Sequence, residues 1–217
     1  MQVALEKNQE PASISGEKMN RNAGTQVTVA KLMESPWLAS RLLRTVGIVV
    51  AGNVLLAVCA HVSVPLWFTP VPVTLQPFAV LLLGLLLDPQ VAFATMLSYL
   101  AEGAAGMPVF TPHGLGGIAQ LLGPTGGYLL SYPVVAPMVS ALWRSSSRSY
   151  ARGLMIAGAG SLVTLSLGAA WLAVLTHATA STVLNHAVLP FLPGDVLKVC
   201  AATGIAVGYS RWRREDS

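Results

Sequence analysis

Apolar residues run in long blocks along most of this chain, and short stretches rich in proline, glycine or arginine separate them. Residues 1–35 are different, mixing Glu, Lys, Asn, Gln, Ser and Gly with few large apolar side chains. Such a stretch cannot bury enough surface to fold alone. It is expected to form a disordered tail, with a short interfacial helix over 27–43, so that 1–40 stands apart from a membrane domain over 41–217. No continuous apolar run follows the early charges as it would in a secretory signal.

Six apolar blocks then follow, at 45–64, 78–87, 91–105, 127–143, 154–176 and 195–209. About 20 helical residues, rising 1.5 Å each, cross the hydrocarbon of a bilayer, and 45–64 has that length before Pro65 ends it. The second block is short and stops at Asp88-Pro89. The connectors at 65–77 and 106–127 carry many prolines or glycines, and 117–122 within the latter is read as a short helical piece. Irregular backbone of this kind is tolerated at membrane depth where it is buried in protein or lines a cavity. Pro133 and Pro137 are expected to kink the fourth block, and 177–193 to be a partly helical connector. The pattern predicts an all-α, polytopic membrane protein, a bundle of six transmembrane helices with irregular outer loops.

Composition agrees: 53% of residues are hydrophobic and 10% charged, against roughly a quarter charged in soluble domains. The net charge of +4 does not point to nucleic acid, because the basic residues gather at block ends. Arg41 and Arg44 precede the first block, Arg144, Arg148 and Arg152 separate the fourth from the fifth, and Arg211, Arg213 and Arg214 follow the sixth. With six crossings these sites fall on one side, which places both termini in the cytoplasm and makes the membrane the cytoplasmic one. The connectors after the first, third and fifth blocks lack Lys and Arg and then lie together outside. Cys59 and Cys200 sit in apolar runs and read as small hydrophobes.

Against this background Asp195 and Lys198 stand out, an acid and a base three residues apart in the last apolar block, sharing a face of a helix. An ammonium at membrane depth costs at least about 2.5–3.5 kcal/mol, so it turns toward a cavity, a partner or a ligand, or else snorkels to the headgroups from a helix end. The outer connectors add Trp67, Phe68, Gln76, Phe110 and Tyr128, a set suited to a small amphipathic anion. The motifs of an enzyme are weak: the four histidines form no His-Glu-x-x-His pair, and Gly123-Pro124-Thr125-Gly126-Gly127-Tyr128 lacks the Gly-Lys-Ser/Thr of a nucleotide loop.

Four motifs carry a resemblance. Val71-Pro72-Val73-Thr74-Leu75-Gln76, Gly106-Met107-Pro108-Val109-Phe110, the Gly123 to Leu129 run and Pro193-Gly194-Asp195-x-x-Lys198 occur in the order and spacing of BioY. It thus resembles, over 41–210, the biotin-specific substrate-capture (S) components of energy-coupling-factor (ECF) transporters. The resemblance implies a six-helix bundle with an outward-facing biotin pocket, no cofactor, a transmembrane coupling subunit and a pair of cytoplasmic ATPases. It implies Gln76, Phe110, Leu115, Tyr128, Asp195 and Lys198 as ligand-binding residues, with the loop from Phe110 to Gly117 closing the site. Family members dock the coupling subunit through an Ala-x-x-x-Ala face on the first helix. Here the small pairs are Gly47-x-x-x-Ala51 and Asn53-x-x-x-Ala57. Two other readings are an intramembrane enzyme using Asp195, Lys198 and Glu102, and a structural membrane subunit without a ligand.

Overall fold

The structure, a computed structural model, describes residues 36–215. The tail over 1–35, with the start of the expected interfacial helix, lies outside the described residues. By its internal contacts the chain divides into 1–46 and 47–217. Of the first unit residues 36–46 are described; they are helical, and Thr45 Oγ1 donates to the Arg41 carbonyl at 3.0 Å.

Every apolar block forms a helix, and the helices start earlier than hydropathy alone indicates. Helix α1 is Pro36–His61, α2 Gln76–Leu86, α3 Pro89–Ala104, α4 Gly117–Leu122 and α5 Gly126–Arg144. Helix α6 is Tyr150–Thr176, α7 Ala180–Ala187 and α8 Leu192–Glu215. Proline explains several starts, since its fixed φ and missing N–H suit a first turn: Pro77 opens α2, Pro89 opens α3 behind extended Asp88, and Pro193 lies in the first turn of α8. Ser149 and Thr179 cap α6 and α7, accepting from the Arg152 and Thr182 amides at 3.4 Å. Helix α5 continues through Pro133 and Pro137. The end of the first apolar block is not helical: β1 (Ser63–Val64) pairs there with β2 (Val73–Thr74) of the Pro-rich connector, antiparallel, with Ser63 opposite Thr74, the one strand pair among the described residues.

Two of these helices are long and apolar enough to cross a membrane, Ala39–His61 and Tyr150–Thr176; α7 and α8, bent by 53° at their junction, make a third if they form one broken span. The expected count of six therefore does not follow from helix length and composition. The physical reason is clearest in α2, whose 11 residues rise only about 16 Å, half the hydrocarbon thickness.

Helix α5 is central, packing on α2, α3 and α6, while α8 packs on α2 and α6. The core between them includes Leu81, Met96, Tyr99, Val135 and Val139, all buried. A second cluster, with Val71, Tyr128, Leu165, Val183 and Phe191, lies beneath the loops. Outward-facing positions remain apolar, among them Val54, Val58, Leu97, Val134, Met155, Leu162 and Leu197. Exposed apolar surface on that scale marks contact with something other than water, and on long apolar helices that is lipid.

Candidate functional site

Asp195 lies in the first turn of α8, where the helix dipole favours a carboxylate, and Lys198 sits one turn on. Both side chains are buried. Lys198 Nζ donates to Asp195 Oδ1 at 2.9 Å, and Ser161 Oγ of α6 donates to Oδ2 at 2.7 Å. Lys198 thus does not snorkel. An ammonium has three donors and a carboxylate about four acceptor sites, so the triad retains capacity for a ligand on both charged groups.

The pair lies on a cavity of about 40 Å³ whose other walls come from the connectors and the starts of α2 and α5. Gln76, Phe110 and Tyr128 line it, as the motifs imply, together with Val71, Pro72, Thr111, Gln120, Thr125, Tyr132, Thr164 and Phe191. Three of the polar wall residues are held from behind. Gln76 Nε2 donates to Tyr99 Oη at 2.7 Å, and Tyr99 Oη donates onward to the Val109 carbonyl at 2.7 Å, which ties the loop before Phe110 to α3. Gln120 Nε2 donates to Thr125 Oγ1 at 2.8 Å while its Oε1 accepts from the Gly116 amide at 3.2 Å. Tyr128 Oη donates to the Ala187 carbonyl at 2.8 Å, fixing α5 to the end of α7.

Two glycines make room for the aromatic walls. A Cβ on Gly103 would collide with the Phe110 ring, and one on Gly168 with the Tyr128 ring. Phe110 also meets Tyr99 edge to face at 5.4 Å.

Three residues depart from expectation. Leu115 is exposed and does not line this cavity; it lines an adjoining cleft of about 320 Å³ with Pro70, His113, Gly114 and Pro124. The positive φ of Gly116 and Gly117 turns the chain there, and Pro72, Gln120 and Thr125 are shared by both spaces. Asn53 is not on an open docking face: it is buried, and its Nδ2 donates to Glu102 Oε1 at 2.6 Å and Ser98 Oγ at 3.0 Å of α3. Glu102, engaged there, is not among the cavity's lining residues, so the three groups of the proposed enzyme site are not brought to it together. Gly47 and Ala51 are exposed and Ala57 half-buried. Among the described residues no His, Cys, Asp or Glu cluster could hold a metal.

Thr111, Gln120, Thr125 and Thr164 were not singled out by the sequence reading. Thr111 fell within its closing loop and Thr125 within its Gly123 to Leu129 motif, and Gln120 left a trace as the single amide in the short apolar helix α4. Thr164 carries no signal, since position in the fold and not residue type brings it to the cavity.

A sequence model of the BioY family matches residues 26–215. The chain is 40% identical over 163 residues to a probable biotin transporter BioY of Pyrococcus horikoshii, covering 75% of this chain and 94% of that one. It is 34% identical to the biotin transporter BioY of Thermotoga maritima, over 70% of this chain and 88% of the relative. Its fold matches the crystal structure of the S-component for biotin from an ECF-type ABC transporter with a TM-score of 0.72, at 25% identity, covering 79% of this chain and 93% of the other.

Proposed function

The chain belongs to the BioY family, and from that premise we propose that it captures biotin in the Asp195/Lys198 cavity as the substrate-binding subunit of an ECF-type transporter. Its relatives are transporters, not enzymes, and biotin is the cargo rather than a cofactor. The observation that carries the reading is a buried, hydrogen-bonded ion pair with spare donors and acceptors beneath a mainly apolar cavity. Biotin has an apolar bicycle and tail, a ureido group with two N–H donors and one acceptor, and a carboxylate. Asp195 can accept from ureido N–H, and Lys198 can donate to the carbonyl or the carboxylate.

At about 40 Å³ the cavity takes about three waters, so biotin enters by moving a wall. The loop bearing Phe110 and Thr111 is the wall that gives in this reading, because it joins two helices and its side-chain hydrogen bonds to the rest of the bundle are few, Tyr99 Oη to the Val109 carbonyl and Thr111 Oγ1 to Ser63 Oγ among them. Equilibrium binding of labelled biotin to the purified chain tests the reading. Saturable binding of unchanged biotin, weakened in Asp195→Asn, is expected; absence of binding by well-folded protein would leave a structural membrane subunit.

In this reading α1, α2, α3, α5, α6 and α8 are the six crossings, with both termini in the cytoplasm. Support comes from two helices that each carry the cavity at one end and a basic residue at the other: Tyr128 opposes Arg144 on α5, and Lys198 opposes Arg213 on α8. A transmembrane coupling subunit, working with a pair of cytoplasmic ATPases, would dock on the open Gly47/Ala51 face, where small residues permit close approach. Ala51→Trp should then leave biotin affinity intact while uptake by cells holding those partners falls. Unchanged uptake would remove this face as the dock.

A further inference from the structure

Hydrogen bonds stitch the two connectors over the cavity into a circuit, and its hub lies out of reach of any ligand. Tyr99 of α3 is fully buried and is not among the residues that line the cavity. Its ring rests edge to face on Phe110 at 5.4 Å. Its hydroxyl accepts from Gln76 Nε2 at 2.7 Å and donates to the Val109 carbonyl at 2.7 Å, so one oxygen joins a cavity wall on α2 to the loop that bears Phe110. The circuit closes on the other side of the loop. Thr111 Oγ1 donates to Ser63 Oγ at 3.2 Å, Ser63 lies opposite Thr74 in the strand pair, and Thr74 Oγ1 donates to Gln76 Oε1 at 3.3 Å.

The two sides of this circuit are anchored differently. On the Gln76 side the Leu75 amide donates to the Val62 and Cys59 carbonyls at 3.0 and 3.2 Å, which fixes the start of α2 to the end of α1. On the loop side the described backbone bonds are local, from Met107 to Glu102, Val109 to Met107 and Gly114 to Thr111. Residues 109–111 are therefore held to the bundle by the Tyr99 and Thr111 hydroxyls at their two ends, and both ties return to Gln76.

We propose that Tyr99 is a positioning residue that latches the Phe110 loop to Gln76 and so sets how long a ligand stays, an inference that rests on the cavity being the biotin site. Gln76 gives one amide N–H to Tyr99 and takes one bond from Thr74, which leaves one N–H and one lone pair for the cavity it lines. The bonds beyond it run in one direction, from Gln76 to Tyr99 and from Tyr99 to Val109. In such a chain each group that accepts becomes a better donor. A ureido N–H on Gln76 Oε1 strengthens the amide as a donor to Tyr99, and Tyr99 in turn holds the Val109 carbonyl more firmly. Ligand arrival and loop closure are thereby one event, carried by a residue that touches no ligand.

Two measurements on the full chain in mild detergent test this, amide hydrogen exchange over residues 107–113 without ligand and the association and dissociation rates of labelled biotin. Tyr99→Phe keeps the ring against Phe110 and removes the hydroxyl. Exchange over 107–113 should rise about tenfold, biotin should dissociate about tenfold faster, and association should be no slower, so affinity falls by no more than the dissociation rate rises. Ser63→Ala cuts the second tie from outside the cavity and should give the same split in smaller measure, so a folding failure of Tyr99→Phe does not decide the outcome. Unchanged loop exchange or unchanged dissociation in both well-folded variants overturns the proposal. Exchange that rises throughout the bundle, with slower association and unchanged dissociation, makes Tyr99 a packing residue only and overturns it equally. Absence of biotin binding by the wild type would sink the reading of the cavity instead, and the ligand-free exchange would still decide whether Tyr99 holds the loop.

Discussion

Two ion pairs, Lys198–Asp195 and Arg144–Asp88, occupy opposite ends of the bundle and teach that distance alone says little about an ion pair. The Arg144–Asp88 contact is the shorter, 2.6 Å against 2.9 Å, yet its side chains are 41% and 63% exposed whereas those of Lys198 and Asp195 are 8% and 9% exposed. Water and salt screen the first, which holds it to at most about 1 kcal/mol. The second is desolvated, so removing either partner strands a buried charge. The difference also separates roles: in the proposed function the buried pair trades part of its hydrogen bonding with a ligand, while the exposed pair lies at the basic end of the bundle.

The largest effect should come from breaking the buried pair. Lys198→Met keeps most of the stem and removes a charge-assisted hydrogen bond of about 1.5–3 kcal/mol, so biotin affinity should fall roughly 10- to 150-fold. Unchanged affinity in well-folded protein would reduce the pair to a structural element. A smaller loss is expected from Ser161→Ala, which leaves the ion pair but frees Asp195 Oδ2 of its neutral donor. At about 0.5–1.5 kcal/mol for such a bond, affinity should drop about 2- to 13-fold in the same binding assay. An effect as large as that of Lys198→Met would mean that Ser161 and not the charge orients the site. Smallest of all, Arg144→Gln should leave biotin affinity unchanged and cost at most about 1 kcal/mol of stability, a slight shift in thermal unfolding that shrinks in high salt. A large loss of binding there would show that the two ends are coupled.

Helical content and the buried charged pair on the cavity were legible in the sequence. Six apolar blocks became helices, most of them long and one short, and the short piece over 117–122 was placed to the residue as α4. Asp195 and Lys198 were visible because charge is costly in apolar sequence, so the few charges that remain there are conspicuous. Crossing number was not legible in the same way, because α2 is too short to settle its own depth and α7 and α8 are bent by 53° at their junction.

What tertiary structure alone decided is the partnership of each side chain. Asn53 and Ala51 lie on one apolar helix two residues apart, and nothing local says that one is buried on Glu102 while the other faces outward. Leu115 and Phe110 belong to one loop, yet the glycines at 116 and 117 turn the chain so that Phe110 enters the cavity and Leu115 lines the cleft beside it. Ser161 gave no sign at all, being one hydroxyl in a long apolar helix until α6 packed against α8 and set it 2.7 Å from Asp195. Local pattern determines which residues avoid water, since that depends on the side chain and its spacing. Which polar group meets which depends on how helices far apart in sequence pack, and that is set by the fit of whole surfaces.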